Sequence, residues 1–95
     1  MDLEVLEELV EVIEGRKREP PEGSYVGRLM REGFGKIAEK VEEESEEFID
    51  ACKGDDREAI THEAADLLFH SLVLLAYKDV SLSEVLDELR SRRKP

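Results

Sequence analysis

Hydrophobic residues recur along this chain at helical spacing, and the positions between them are mostly charged. Leu6, Leu9, Val10 and Ile13 fall at i, i+3, i+4 and i+7, with Glu4, Glu7, Glu8, Glu11 and Glu14 between them, which predicts an amphipathic helix over residues 3 to 14. Asp2 is placed to cap its start and Gly15 to stand just past its end, where Arg16, Lys17 and Arg18 would meet the negative helix terminus. Ile37, Val41, Phe48, Ile49 and Cys52 supply the apolar positions of a second helix over Lys36 to Lys53, ended by Gly54. Asp55 and Asp56 read as the cap of a third helix, from about Asp56 to Lys78. That helix is apolar nearly all round from Ala64 to Ala76, so it belongs at the centre of a bundle. A last helix, Leu82 to about Arg92, opens with the capping-box pattern of Ser81 and Glu84 and carries Leu82, Val85, Leu86 and Leu89 on one side. The tail from Arg92 to Pro95 is expected to fray.

The stretch from Glu19 to Gly35 breaks this rhythm. Pro20, Pro21, Gly23, Gly27, Gly33 and Gly35 predict a long loop, with room for a short helix over Ser24 to Arg31. Arg16, Lys17, Arg18, Arg28 and Arg31 gather positive charge around it; they either hold an anionic ligand or balance neighbouring acids. Since strand-like alternation of useful length is missing from the sequence, the fold class is all-α. The expected architecture is a small bundle of four to five helices with a central antiparallel hairpin, forming one domain over residues 1 to 95.

Charge narrows the function classes. Asp plus Glu outnumber Lys plus Arg by 25 to 14, a formal charge of -11, which opposes binding to nucleic acid or an anionic membrane. An acidic protein of this kind that handles phosphates would use metal ions. A single cysteine, Cys52, excludes an internal disulfide and is read as a small packed side chain rather than a nucleophile. The acidic start at Met1 and Asp2 is unlike a signal peptide, and the longest apolar run, Leu72 to Tyr77, is too short to cross a bilayer; a soluble, cytoplasmic protein is expected. So short a chain buries a modest share of its surface, which favours a homodimer.

The chemistry sits in Glu43, Glu44 and Glu47 and in Glu63 and Asp66. A short turn near Asp55 makes the two central helices a hairpin in which residues whose numbers sum to about 110 lie level. Glu47 then faces Glu63 and Glu44 faces Asp66, each i,i+3 pair spanning roughly 4.5 Å along its axis. A run of glutamates alone is usually a solvated face. Two acids at matching levels on the most apolar helix are different: their burial costs several kcal/mol, roughly, unless a cation sits among them. Oxygen-only ligands suit Mg²⁺, or Mn²⁺, whereas Zn²⁺ would recruit Cys or clustered His. His70, one turn beyond Asp66, reads either as a hydrogen-bond partner of a ligating carboxylate or as a satisfied core histidine. His62 reads as structural.

The pattern Glu43-Glu44-x-x-Glu47 followed by Glu63-x-x-Asp66 resembles the all-α nucleoside triphosphate pyrophosphohydrolase superfamily. Within it, the stretches from Glu22 to Leu29, Lys36 to Val41, Glu63 to His70 and Leu82 to Arg90 are similar to the phosphoribosyl-ATP pyrophosphohydrolase family, over nearly the whole chain. Glu42 stands where that family commonly has a small residue, and Ser45 where alanine is more usual.

The resemblance implies Mg²⁺-dependent hydrolysis of phosphoribosyl-ATP to phosphoribosyl-AMP and pyrophosphate, with Glu44, Glu47, Glu63 and Asp66 as metal ligands. Glu43 is then the candidate to accept the water proton, a role Glu44 could share. Lys36 and Lys40 would contact phosphate oxygens, Arg28 and Arg16 are candidates for the ribose-linked phosphate, and Tyr25 would stack or hydrogen-bond. A homodimer is implied too. Two alternatives remain at this point: a house-cleaning enzyme acting on ordinary or damaged nucleoside triphosphates, and a non-catalytic acidic helical module.

Overall fold

A computed structural model describes residues 2–93. They form five helices: α1 Glu4–Arg18, α2 Tyr25–Glu32, α3 Phe34–Cys52, α4 Arg57–Tyr77 and α5 Leu82–Ser91. Among the described residues there is no strand. The hairpin of α3 and α4 is the main packing unit; α1 lies against α4, α2 against α3, and α1 and α2 touch each other. Their shared core consists of Ile13, Val26, Leu29, Ile37, Leu72, Val73 and Ala76, at the end of the hairpin where α3 begins and α4 finishes.

Local chemistry explains most boundaries. Asp56 caps α4, its Oδ1 accepting from the backbone N–H groups of Glu58 at 3.0 Å and Ala59 at 3.2 Å. Ser81 and Glu84 form the full capping box at the start of α5. The cap position of α1 falls on Leu3 rather than on the expected Asp2, whose Oδ1 still accepts from Glu4 N at 2.9 Å. Residues 94 and 95 of the expected frayed tail lie outside the described residues.

Three expectations need correction. First, α1 continues through Gly15 to Arg18. Glycine inside a helix costs about 1 kcal/mol, but Lys17 Nζ donates to the Ala76 carbonyl at 2.7 Å and pairs with Asp79, tying this last turn to the end of α4. Second, the irregular stretch is shorter than predicted: the short helix expected over Ser24 to Arg31 is present as α2, but α3 already begins at Phe34 rather than Lys36. Ser24 Oγ accepts from Gly27 N at 3.0 Å and starts α2, and Gly33, at φ +92°, breaks the chain just long enough for α3 to begin at Phe34. Gly27 is helical, and its missing side chain is what matters: a Cβ there would stand 2.5 Å from Pro20 Cβ. Third, Cys52 is exposed, not packed, and so is Ile49. Periodicity assigned both to an apolar face, but α1 and α2 do not extend far enough to cover it.

By length and composition α4 is long and apolar enough to cross a membrane, a property that the run from Leu72 to Tyr77 did not reveal. Its place at the centre of the hairpin and its charged Glu63 and Asp66 fit a bundle core helix.

Candidate active site

Halfway along the hairpin the apolar lining gives way to acid. Glu44, on α3, is only 6% exposed, and Glu47 follows one turn later at the surface. Across from them α4 presents Glu63 and Asp66, both half-buried. Ligand atoms of Glu44, Glu47 and Glu63 lie within 4.8 Å of one another, and a second triad of His62, Glu63 and Asp66 meets the same limit. The two triads share Glu63: Glu44 and Glu47 meet it across the hairpin, while Asp66 stands with Glu63 and His62 in the second group.

The electrostatics show what this arrangement lacks. Glu44 Oε2 and Glu63 Oε2 are buried without a hydrogen-bond partner. Burial, then the charges of Glu47 and Asp66, pushes the Glu44 carboxyl above its usual range, against the pull of His70 and Lys40. Burial likewise raises Glu63, helped by Glu47, which lies close enough to share a proton with it. Lys40 Nζ stands 3.8 Å from Glu44 Oε1 and 3.4 Å from Glu43 Oε2. Burial pulls the Lys40 ammonium down, but the hydrogen bond to Glu43 and the surrounding negative charges outweigh it, leaving it above its usual value. One lysine cannot balance four carboxylates. Orphaned oxygens in the all-oxygen group of Glu44, Glu47 and Glu63 fit a hard divalent cation, with Asp66 next to Glu63 in the neighbouring group.

Beside this cluster lies a cavity of about 360 Å³, lined by Tyr25, Arg28, Leu29 and Glu32 of α2 and by Lys36, Lys40 and Glu43 of α3. The structure thus brings Tyr25, Arg28, Lys36 and Lys40 into one cleft, and Glu43 with them. The Arg28 guanidinium lies 5.3 Å from the centre of the Tyr25 ring. Its contact with Glu32, at 3.9 Å, and that of Lys36 with Glu39, at 3.6 Å, are exposed and weak, so both cations are available to an anion. Arg16 is not brought in; it sits in the last turn of α1, away from the cavity lining. Glu42 and Glu46 are exposed.

An acidic cation cage opening onto a basic cleft is an arrangement for a phosphorylated ligand, and the sequence decides which enzymes share it. The sequence model of the family described as phosphoribosyl-ATP pyrophosphohydrolase matches residues 6–93. The chain belongs to this family.

Membership makes it a hydrolase of a phosphoanhydride. Among its relatives, phosphoribosyl-ATP pyrophosphatase of Methanopyrus kandleri is 50% identical, over 98% of this chain and 98% of that protein. The enzyme of the same name from Metallosphaera sedula is also 50% identical, over 96% of this chain and 98% of that protein. The histidine biosynthesis bifunctional protein HisIE of Pyrococcus furiosus is 53% identical over 97% of this chain, which spans 43% of that longer protein.

Two features escaped the sequence reading. His62, taken as structural, has its Nε2 3.2 Å from Asp66 Oδ2 and completes the outer triad; its i,i+4 spacing to Asp66 was the available signal. His70 does not bond a ligating carboxylate. Its Nδ1 lies 2.9 Å from the Asp66 backbone carbonyl and its Nε2 2.8 Å from the Tyr25 hydroxyl, a contact across 45 residues of chain that periodicity does not reveal.

Proposed function

We propose that this chain hydrolyses the α–β phosphoanhydride of phosphoribosyl-ATP, yielding phosphoribosyl-AMP and pyrophosphate, with Mg²⁺, or Mn²⁺ in its place, held by Glu44, Glu47, Glu63 and Asp66. The observation that carries this reading is the junction of cage and cleft: Lys40 touches Glu44 on one side and lines the cavity with Glu43 on the other. The relatives named for this activity supply the substrate.

When bound, the cation neutralises phosphate charge and acidifies a water. The chain's own residues do the rest. Lys36 and Lys40 take phosphate oxygens of the triphosphate, and Arg28 takes the ribose-linked phosphate. Glu43, in the cleft and beside rather than within the cation set, accepts the proton of the attacking water as its oxygen bonds to phosphorus and the anhydride P–O bond breaks. Pyrophosphate leaves, and Tyr25 offers a flat apolar surface to the nucleoside. Arg16, outside the cleft, is given no role.

The protein works as a homodimer in this reading. Its accessible surface is 7116 Å², against about 5,600 Å² for a folded monomer of this size. Its radius of gyration is 14.6 Å, against about 12.4 Å for a compact chain of this length. Only 22% of the most apolar stretch of α4 is buried within one chain, and Ile49, Leu68, Leu86 and Leu89 are exposed. A cytoplasmic setting without a nucleic-acid or membrane partner fits the charge of -11.

The test is pyrophosphate release with Mg²⁺ from phosphoribosyl-ATP and from a panel of ordinary nucleoside triphosphates. Release from phosphoribosyl-ATP at far higher kcat/KM is expected; preference for a common deoxynucleotide would instead mean a house-cleaning enzyme.

A further inference from the structure

His70 is a buried ionisable side chain that the reaction described above does not use. Its hydrogen bonds define its tautomer. The Asp66 carbonyl can only accept, so Nδ1 must carry the proton at that 2.9 Å contact. In the neutral ring Nε2 is then an acceptor, and the Tyr25 hydroxyl donates to it at 2.8 Å. Both ring nitrogens are thereby satisfied, and the ring is wedged edge-on against Tyr25, with centroids 5.8 Å apart, and against Phe69, at 5.2 Å.

This ring joins the two parts of the site. Tyr25 is the first residue of α2, lines the cleft, and carries the Arg28 guanidinium against its ring. At its other nitrogen His70 is anchored to the backbone of Asp66, a member of the carboxylate cluster. No other side-chain hydrogen bond among the described residues links α2 to α4.

We propose that His70 is a positioning residue: through Nε2 it holds the Tyr25 phenol, and with it the Arg28 end of the cleft, at a fixed distance from the carboxylates of α3 and α4. The inference rests on the reading of the cleft as the substrate site. If Tyr25 turned freely about its side-chain bonds, Arg28 would lose its platform, and part of the binding energy would be spent on ordering the pair.

The test is steady-state kinetics of the full chain with Mg²⁺ and phosphoribosyl-ATP, alongside the melting shift induced by Mn²⁺. Tyr25→Phe, which keeps the ring and removes the donor, is expected to raise KM about fivefold, the worth of one hydrogen bond, with kcat within about twofold. The Mn²⁺-induced melting shift should be retained. His70→Phe should match it, His70→Gln, whose amide oxygen can accept from the phenol, should recover most of the loss, and the double variant Tyr25→Phe/His70→Phe should be no worse than either single one. In wild type, long-range ¹H–¹⁵N NMR should show His70 with its proton on Nδ1, and Tyr25→Phe should move the Nε2 resonance. Arg28→Ala separates the role of the cleft from that of His70. If it raises KM while Tyr25→Phe does not, the His70 proposal is overturned and the cleft stands. If neither raises KM, the cleft reading falls and takes the proposal with it. Additive effects in the double variant overturn it as well, and the Tyr25→Phe arm decides even if the His70 variants fail to fold.

Discussion

Where α3 begins and α4 ends, Ile37, Leu72 and Val73 lie beneath α1 and α2; toward the turn of the same hairpin, Ile49 and Cys52 face solvent. The two ends are built from similar apolar spacing, so the difference comes from their neighbours rather than from the helices themselves. The carboxylates stand on the border between them. Glu44 is on the covered side and Glu47 on the open side, one turn apart. This border gives the site its character: Glu44 and Glu63 each keep one oxygen cut off from water without a hydrogen-bond partner, while Glu47 stays open to solvent.

The sharpest way to break this comparison is in the covered end. Ile37→Ala should cost about 2–5 kcal/mol in denaturant unfolding, because Ile37 is fully buried. Ile49→Ala at the open end should stay within about 0.5 kcal/mol at low protein concentration, and Ile49→Asp should shift sedimentation toward the monomer. Equal losses at the two ends would erase the distinction.

Next in size is the border itself. Glu44→Gln should lower kcat/KM about a hundredfold, since even the outer partners of metal ligands are worth 10–100-fold. It should also raise the melting temperature of the metal-free protein, by removing a buried charge without a partner. Activity that survives the substitution would remove Glu44 from the site.

Acidity gives a smaller, signed effect. The folded protein holds the Glu44 and Glu63 protons to higher pH than the unfolded chain, whose glutamates titrate near 4.5. Between the two values the native state binds more protons, so these groups stabilise the metal-free protein below the ordinary glutamate range and that contribution is lost as pH rises through their folded values. Melting followed across pH should show this decline, and saturating Mg²⁺ should flatten it; an unchanged slope with Mg²⁺ would place the ion elsewhere. Smallest of all, Asp56→Ala should cost about 1 kcal/mol through loss of the α4 cap, read as a drop in melting temperature.

Much of this was legible in the sequence. The five helices follow from apolar spacing and caps, and the meeting of Glu47 with Glu63 follows from a short turn joining long helices. What periodicity could not supply is what covers a face. It marked Ile49 and Cys52 as apolar positions, but their burial depends on the reach of α1 and α2, which is a tertiary fact. Gly27 is a related case: it breaks nothing, because its missing Cβ admits Pro20. Gly15 was outweighed by the grip of Lys17 on the end of α4. The pairing of Tyr25 with His70 had no local signal at all.

The capped turn between Cys52 and Arg57 has a consequence for how such a chain can change. Composition can drift widely along both helices while the cage survives, because only four side chains must meet. Length cannot. One residue added inside α4 between Arg57 and Glu63 would rotate the acids relative to the start of the helix by about 100° and slide them by about 1.5 Å, turning Glu63 and Asp66 away from Glu44 and Glu47. The helices of the hairpin are therefore a ruler, and insertions should be tolerated before α2 or after α4 long before a single one is tolerated within α3 or α4 between the acids.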